Sequence, residues 1–382
     1  MYYFDNAATT FPKPEIVYET MDKFYRSYGV NVGRGMFREA SVAAKLMDET
    51  RKLMLELFHS TADYSCIFTA SATEAINLIL QGMEWNSGKT VYISPFEHNA
   101  VLRTLHAINQ KYGAAVKEIA PDREFFYDYG KIREAFRQAP PSVVVLSHAS
   151  NAFGFINPVG ELFKIAKEFG AVTVCDMAQT AGLIDTNIVQ SHIDYAVFAG
   201  HKTLYGPLGI SGFVTNQKCV LRPLIYGGTG IDSKNPDMPE EMPTKYEGGS
   251  HNILSISGLN AALKWIQETR ISHIFEQEKA HTARLLNILK EHKNIHVIRC
   301  ADEGKNIGVI SCMFDGYSSD SIGQVLSEQG IAVRTGLHCA PRAHEFLRTA
   351  PDGTIRFSLS YFTDDESFFA LEKALTYIEE NG

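Results

Sequence analysis

The sequence lacks any uninterrupted apolar run near the ~18 residues that a membrane-spanning helix requires. It also lacks a C-x-x-C pair. Its six cysteines (Cys66, Cys175, Cys219, Cys300, Cys312, Cys339) are scattered, which suits neither a zinc site nor a small disulfide framework. An excess of positive charge is missing too: 36 Lys and Arg against 44 Asp and Glu give a formal net charge of −8, with no basic stripe. That balance discourages a nucleic-acid partner. The opening Met1-Tyr2-Tyr3-Phe4-Asp5 has neither the basic nor the apolar region of a secretion signal. A cytoplasmic chain with no membrane and no nucleic-acid partner is expected, its cysteines mostly buried and reduced. At 382 residues, 45% hydrophobic and 21% charged, the chain has ample length for a large core and a second, smaller one.

From about residue 60 to 215, short β-rich runs alternate with helical patterns. Strands are expected at 66–69, 90–94, 142–147, 171–175, 195–199 and 210–214, with crossover helices at 73–82, 98–112 and 159–169. Runs such as Val143-Val144-Val145-Leu146 are continuously apolar, as in parallel strands buried on both faces. The alternation predicts an α/β fold with a mostly parallel sheet. The Gly- and Pro-rich stretch 226–250 breaks this pattern and reads as a long functional loop. Helices near 256–269, 272–292, 321–329 and 365–380 and a strand near 309–314 then predict a smaller α+β C-terminal domain.

The strongest local feature is Phe198-Ala199-Gly200-His201-Lys202-Thr203, a strand running into a turn that carries a lysine. A lone lysine on a loop is ordinarily a surface residue. This one has company in Val174-Cys175-Asp176-Met177-Ala178-Gln179, which sets a carboxylate at the end of a buried strand. Ligands of open α/β sheets bind outside those carboxyl ends. Pyridoxal 5′-phosphate (PLP) needs this pair: a lysine for the Schiff base and an acid to keep the pyridine nitrogen protonated. Thr69-Ala70-Ser71-Ala72-Thr73-Glu74, leading into a helix, offers a phosphate seat. The same Ser71-x-x-Glu74 is equally an ordinary capping box.

With these motifs the chain resembles the class V aminotransferase-type PLP enzymes, specifically the cysteine desulfurase and selenocysteine lyase family. The matching pieces run from Asp5-Asn6-Ala7-Ala8 through Asn31-Val32-Gly33-Arg34-Gly35, Glu97-His98-Asn99 and Ser150-Asn151. They continue through Asp176-x-x-Gln179, Gly200-His201-Lys202 and Gly248-Gly249-Ser250 to Arg334-Thr335-Gly336-Leu337-His338-Cys339-Ala340 and Arg356-Phe357-Ser358. The resemblance implies the PLP-dependent transferase fold type I, with a large PLP-binding domain over 16–250 and a small domain from 1–15 and 251–382. It implies Lys202 as Schiff-base lysine, Asp176 as pyridinium partner, His98 stacked on the ring and Gln179 on the ring's phenolic oxygen. Ala72, Thr73 and His201 would line the phosphate seat, and Ser250 would reach the phosphate from the other subunit of a homodimer. Asn151 and Arg356 would hold the substrate carboxylate. Cys339 would take sulfur from L-cysteine, or selenium would leave L-selenocysteine without it, and Arg334 would shape the nearby wall.

A thiolate is the reactive form of cysteine, and His338 and Arg334 are candidates for lowering the Cys339 pKa. The short interval from Cys339 to Arg356 resembles the branch with a compact catalytic loop, which points to a sulfur-acceptor protein as a partner. Ala199, Leu337 and Ser250-His251 depart from the commoner family pattern, which bears on phosphate and loop geometry. His292 and His296 lie four apart, but with no third ligand evident they read as a solvated helix end. No metal is expected.

Overall fold

The computed structural model describes every residue except 33–34, 219, 231–233 and 382. Part of the 31–35 motif, Cys219 and a piece of the 226–250 loop therefore lie outside the described residues. The N-terminal segment forms β1 (Tyr2–Tyr3), α1 (Glu15–Tyr28) and α2 (Arg38–Leu57). There follow β2 (Tyr64–Thr69), α3 (Ala72–Gly82), β3 (Thr90–Ile93), α4 (Asn99–Tyr112), β4 (Ala115–Glu118), α5 (Tyr129–Gln138) and β5 (Val143–Ser147). The large unit continues with α6 (Val159–Glu168), β6 (Val172–Asp176), β7 (Tyr195–Ala199) and β8 (Ser211–Asn216).

These strands make a seven-stranded sheet in the order β2-β8-β7-β6-β5-β3-β4. All pairs are parallel except those made by β8, which runs antiparallel to β2 and β7. Neighbouring residues of a strand face opposite sides, and here both sides are cores. Val143 and Val145 face one cluster, Val144 and Leu146 the other; Tyr195 and Val197 alternate likewise with Ala196 and Phe198. This is the reason the strands read as unbroken apolar runs. Because β8 alone is reversed, the ends of β2, β3, β5, β6 and β7 all open on one edge of the sheet, where α/β proteins bind ligands.

After the 226–250 loop come α7 (Ile253–Thr269), α8 (Ile271–Glu291), β9 (Ile295–Ile298), β10 (Val309–Phe314), α9 (Ser319–Glu328), β11 (Ile331–Ala332), β12 (Arg334–Gly336), α10 (Pro341–Leu347), β13 (Thr354–Ser358) and α11 (Asp365–Asn381). A second sheet has the order β12-β13-β10-β9, all antiparallel. β1 pairs in parallel with β11, and Phe4 enters the small core beside Phe357 and Phe368. The loop is anchored rather than free: Glu247 pairs with Arg51 at 2.6 Å and accepts the Phe68 amide at 2.7 Å.

A division at residue 250 cuts through packed structure. Ile253, Ile256, Leu259, Leu263 and Ile266 of α7, and Ile274 of α8, are buried in the core of the large unit, whereas Leu285 and Leu289 at the far end of α8 belong to the small core. We propose that the two units divide within α8. The helices α1 and α2 are not among those expected from the sequence, although Val17, Met21 and Phe24 of α1 repeat at helical spacing and pack on the large core, as do Leu46, Met47, Leu53 and Met54 of α2.

Candidate active site

At the sheet edge lies a cavity of about 240 Å³ lined by groups from both units. A larger apolar groove of about 640 Å³ runs between Leu57, Leu183, Ile266 and Phe275. Convergent reactive groups, rather than volume, single out the smaller one.

The lysine turn follows β7 directly. Gly200 is needed there because a Cβ would strike the Ile210 carbonyl oxygen. Lys202 lines the cavity, and burial pulls its ammonium below the usual range; Asp176 opposes that effect, while Arg356 and Arg334 add to it. Such a lysine loses its proton readily. Asp176 ends β6, buried, its Oδ1 accepting the Ala178 amide at 3.0 Å. Gln179 donates from Nε2 to the Ala7 carbonyl at 2.9 Å, which leaves its second N–H for a ligand. His98 caps α4, its Nδ1 accepting the Ala100 amide at 3.0 Å. Burial first, then Lys202, pushes this imidazole down to about 4, so it is neutral.

The capping box on α3 is real: Ser71 Oγ accepts the Glu74 amide at 3.1 Å, and Glu74 Oε2 accepts the Ala70 amide at 3.0 Å. It does not exclude a phosphate seat. The amides of Ala72 and Thr73, in the first turn, have no partner within the helix, and both residues line the cavity. His201 lines it as well, and its Nδ1 is buried without a hydrogen-bond partner.

The opposite wall comes from the small sheet. Arg356, 1% exposed, donates from Nη2 to Asp5 at 2.5 Å and from Nη1 to the Asn151 carbonyl at 3.0 Å, while its Nε is buried without a partner. Asn151 Nδ2 donates to the His338 carbonyl at 2.6 Å. His338 and Cys339 both hold positive φ, 48° and 58°, an uncommon conformation for residues with a Cβ. Cys339 is half-buried, with Arg334 Nη2 3.7 Å from its Sγ. Its carbonyl accepts the Asn99 amide at 2.7 Å, which ties the cysteine turn to the His98 cap.

His338 does not act on Cys339 as expected. Its Nε2 is 2.9 Å from Thr354 Oγ1, which donates to Ser311 Oγ, which in turn donates to the Ala152 carbonyl. His338 must therefore donate from Nε2, and burial pushes its pKa down to about 2. A neutral imidazole lends no positive charge to a thiolate; Arg334 is the cation at hand. The other cysteines contrast: Cys66, Cys175, Cys300 and Cys312 are buried, and burial pushes the thiols of Cys66, Cys175 and Cys312 up, that of Cys66 to about 12.

Ser250 is not brought to the cavity by its own chain; it is exposed, its Oγ accepting from Asn31 Nδ2 at 3.3 Å. His292 and His296 are separate: His292 Nδ1 meets Glu379 and His296 Nε2 meets Asp315, each at 2.8 Å. Each thus has its own carboxylate, and among the described residues no metal-holding cluster forms. Sequence reasoning passed over two residues inside motifs it quoted. Asp5 is the partner of Arg356. Glu97, fully buried and pushed up to about 7 by desolvation, accepts Ser94 Oγ at 2.5 Å and Ser147 Oγ at 2.8 Å beneath Asp176. A carboxylate next to His98 at the end of a buried strand was the available signal.

The class-V aminotransferase profile matches residues 2–371. The chain belongs to that family. A probable cysteine desulfurase of Pyrococcus abyssi is 32% identical over 99% of this chain and 93% of its own length. An apo cysteine desulfurase from Thermococcus onnurineus superposes with a TM-score of 0.89 at 29% identity, covering 99% of this chain and 94% of that one. The Escherichia coli cysteine desulfurase CsdA, as its S-sulfonic acid, does so with a TM-score of 0.87 at 26% identity, over 99% and 94% of the two chains. The chain is thus a class V PLP enzyme of the cysteine desulfurase group. Its cavity fits that cofactor. An amine of lowered pKa, a carboxylate, two first-turn amides and the unpartnered His201 Nδ1 surround a space with no internal polar partner for that nitrogen. Among the described residues no helix is long and apolar enough to cross a membrane.

Proposed function

We propose that this chain is a PLP-dependent cysteine desulfurase that converts L-cysteine to L-alanine and keeps the sulfur on Cys339 as a persulfide. The observation that carries the reading is a half-buried thiol beside a guanidinium, in the cavity that also holds Lys202 and Arg356. When bound, PLP supplies the electron sink that makes bonds at the substrate's α- and β-carbons labile. Lys202, Asp176, Gln179 and His98 would hold the ring, and Ala72, Thr73 and His201 the phosphate.

The residues of the chain then divide the work. Arg356, aimed by Asp5, and Asn151 bind the substrate carboxylate. Lys202 Nζ, its proton affinity lowered by burial, takes the proton from the substrate's α-carbon. Cys339 attacks the substrate sulfur as thiolate. The new S–S bond forms as the C–S bond breaks, and the electron pair leaves with the carbon fragment, which gains protons and departs as alanine. Arg334 Nη2 faces that sulfur at 3.7 Å.

The exposed Met36, Phe37, Leu208 and Tyr226 support a homodimer, in which the partner subunit's Ser250 would reach the phosphate. The segment between Cys339 and Arg356 is short and contains the helix α10. That limits how far Cys339 can swing and supports a docking sulfur-acceptor protein. A reducing cytoplasm suits the unpaired cysteines.

The test is anaerobic turnover of L-cysteine by the PLP-loaded chain, following alanine and sulfide with and without a reductant. Stoichiometric alanine and a persulfide trapped on Cys339 are expected. Alanine released at the parent rate by Cys339→Ala would overturn the mechanism. Bound cofactor with turnover of L-selenocysteine alone would move the reading to a selenocysteine lyase.

A further inference from the structure

The groups at the phosphate end of the cavity, Ser71, Ala72, Thr73 and His201, carry no positive charge. Burial, Lys202 and Lys13 hold the His201 imidazole down at about 4. A phosphate monoester brings about −1.5 to −2 charges at neutral pH, and the start of a helix such as α3 offers roughly half a positive charge. More countercharge is needed from nearby. Lys202 is committed to the Schiff base.

Lys13 is the cation behind this end. Its Nζ donates to the Thr10 carbonyl at 2.8 Å and to the His201 carbonyl at 3.3 Å. Among the described residues no carboxylate pairs with it, and burial pulls this ammonium down to about 8. The His201 carbonyl also receives the Thr10 amide at 3.0 Å and Thr9 Oγ1 at 3.1 Å, while Thr10 Oγ1 donates to the Lys202 carbonyl at 2.9 Å. Three donors on one carbonyl oxygen fix the His201 peptide. The carbonyl faces the 9–13 segment, and the imidazole, with its unpartnered Nδ1, is left on the cavity wall.

We propose that Lys13 is a countercharge for the cofactor's phosphate, acting across space from behind the His201 peptide, to whose carbonyl it is held, rather than by contact. The inference rests on the reading of this cavity as a PLP site. A buried ammonium held only by carbonyl oxygens gains most when a dianion arrives close by. The carbonyl it grips is that of the residue whose ring faces the phosphate.

The experiment uses the full chain freed of cofactor, titrated by intrinsic fluorescence with pyridoxine 5′-phosphate and with pyridoxine. Neither probe has the aldehyde that bonds Lys202, and only the first has a phosphate. The parent chain should bind the phosphorylated probe more tightly. Lys13→Met should weaken that probe about ten-fold and leave pyridoxine within about two-fold, the size expected of one partly buried charge. Lys13→Gln, which keeps a donor for the His201 carbonyl but no charge, should match Lys13→Met, and Lys13→Arg should restore binding to within about three-fold. Melting temperatures of the variants report folding separately. Equal losses for both probes, or parent-like phosphate binding by Lys13→Gln, would overturn the role of Lys13 and leave the PLP site standing. A parent chain that binds neither probe overturns both.

Discussion

At one end of the cavity, Lys202, His201 and the Ala72 and Thr73 amides sit on turns that directly follow strands of the large sheet. At the other end, Arg334, Cys339 and Arg356 hang from β12 and β13 at the edge of the small sheet, with two consecutive residues in left-handed conformation. At the first end the amides come from the junction of β2 and α3, while the lysine turn links β7 to β8 and carries one left-handed residue, Tyr205, at φ 56°. The second holds the Cys339 thiol, the proposed nucleophile, in a conformation that costs of order 1–3 kcal/mol per residue and persists only if its surroundings enforce it. Asn99 and Asn151, which bond the Cys339 and His338 carbonyls, are those surroundings, and both belong to the large unit. Holding a cofactor takes a stiff sheet edge; presenting a thiol takes a strained turn braced from across the cleft.

The comparison predicts that the ends can be broken separately. Lys202→Ala should lose both the visible absorption band of the bound cofactor and turnover, by about 10³-fold or more. Cys339→Ala should retain that band while alanine formation falls by a similar factor; loss of the band as well would show that the ends are not independent. Asp5→Asn strips a buried guanidinium of its carboxylate. Because Asp5 is partly open to solvent, the expected loss is about 1–3 kcal/mol in denaturant unfolding, below that of a fully buried pair. An unchanged midpoint would mean that Asp5 does not hold Arg356.

The smallest effect tests the bolt behind the cavity. Tyr205, on the lysine turn, donates to Glu278 at 3.0 Å and accepts the Tyr361 amide, just beyond β13, at 3.0 Å. Burial raises the Glu278 carboxyl from 4.5 to about 8, so the folded state favours its neutral form. Its contribution is complete below about pH 4.5 and is lost as pH climbs through about 8. Between those limits the parent's melting temperature should fall more steeply with pH than that of Glu278→Gln, and parallel curves would sink this account.

Much of the sheet was legible because burial on both faces leaves apolar residues throughout β7 and along β5 as far as Leu146, whatever packs on them. Asp176, Lys202 and the Ser71-x-x-Glu74 turn were legible because each follows its own strand within a few residues. The helices α1 and α2 were passed over although their apolar residues repeat at helical spacing; what short-range pattern cannot show is that α7, some two hundred residues on, covers them.

The sequence by itself determined the alternation of strands and helices and the residue types at the strand ends, because those depend on short-range pattern and residue type. Only the tertiary structure decided that Asp5 pairs with Arg356, that Lys13 grips the His201 carbonyl, and that His338 is a neutral donor while Arg334 is the cation at Cys339. A charge state and a hydrogen-bond partner are set by what desolvates and faces a group, and those neighbours arrive from the far end of the chain.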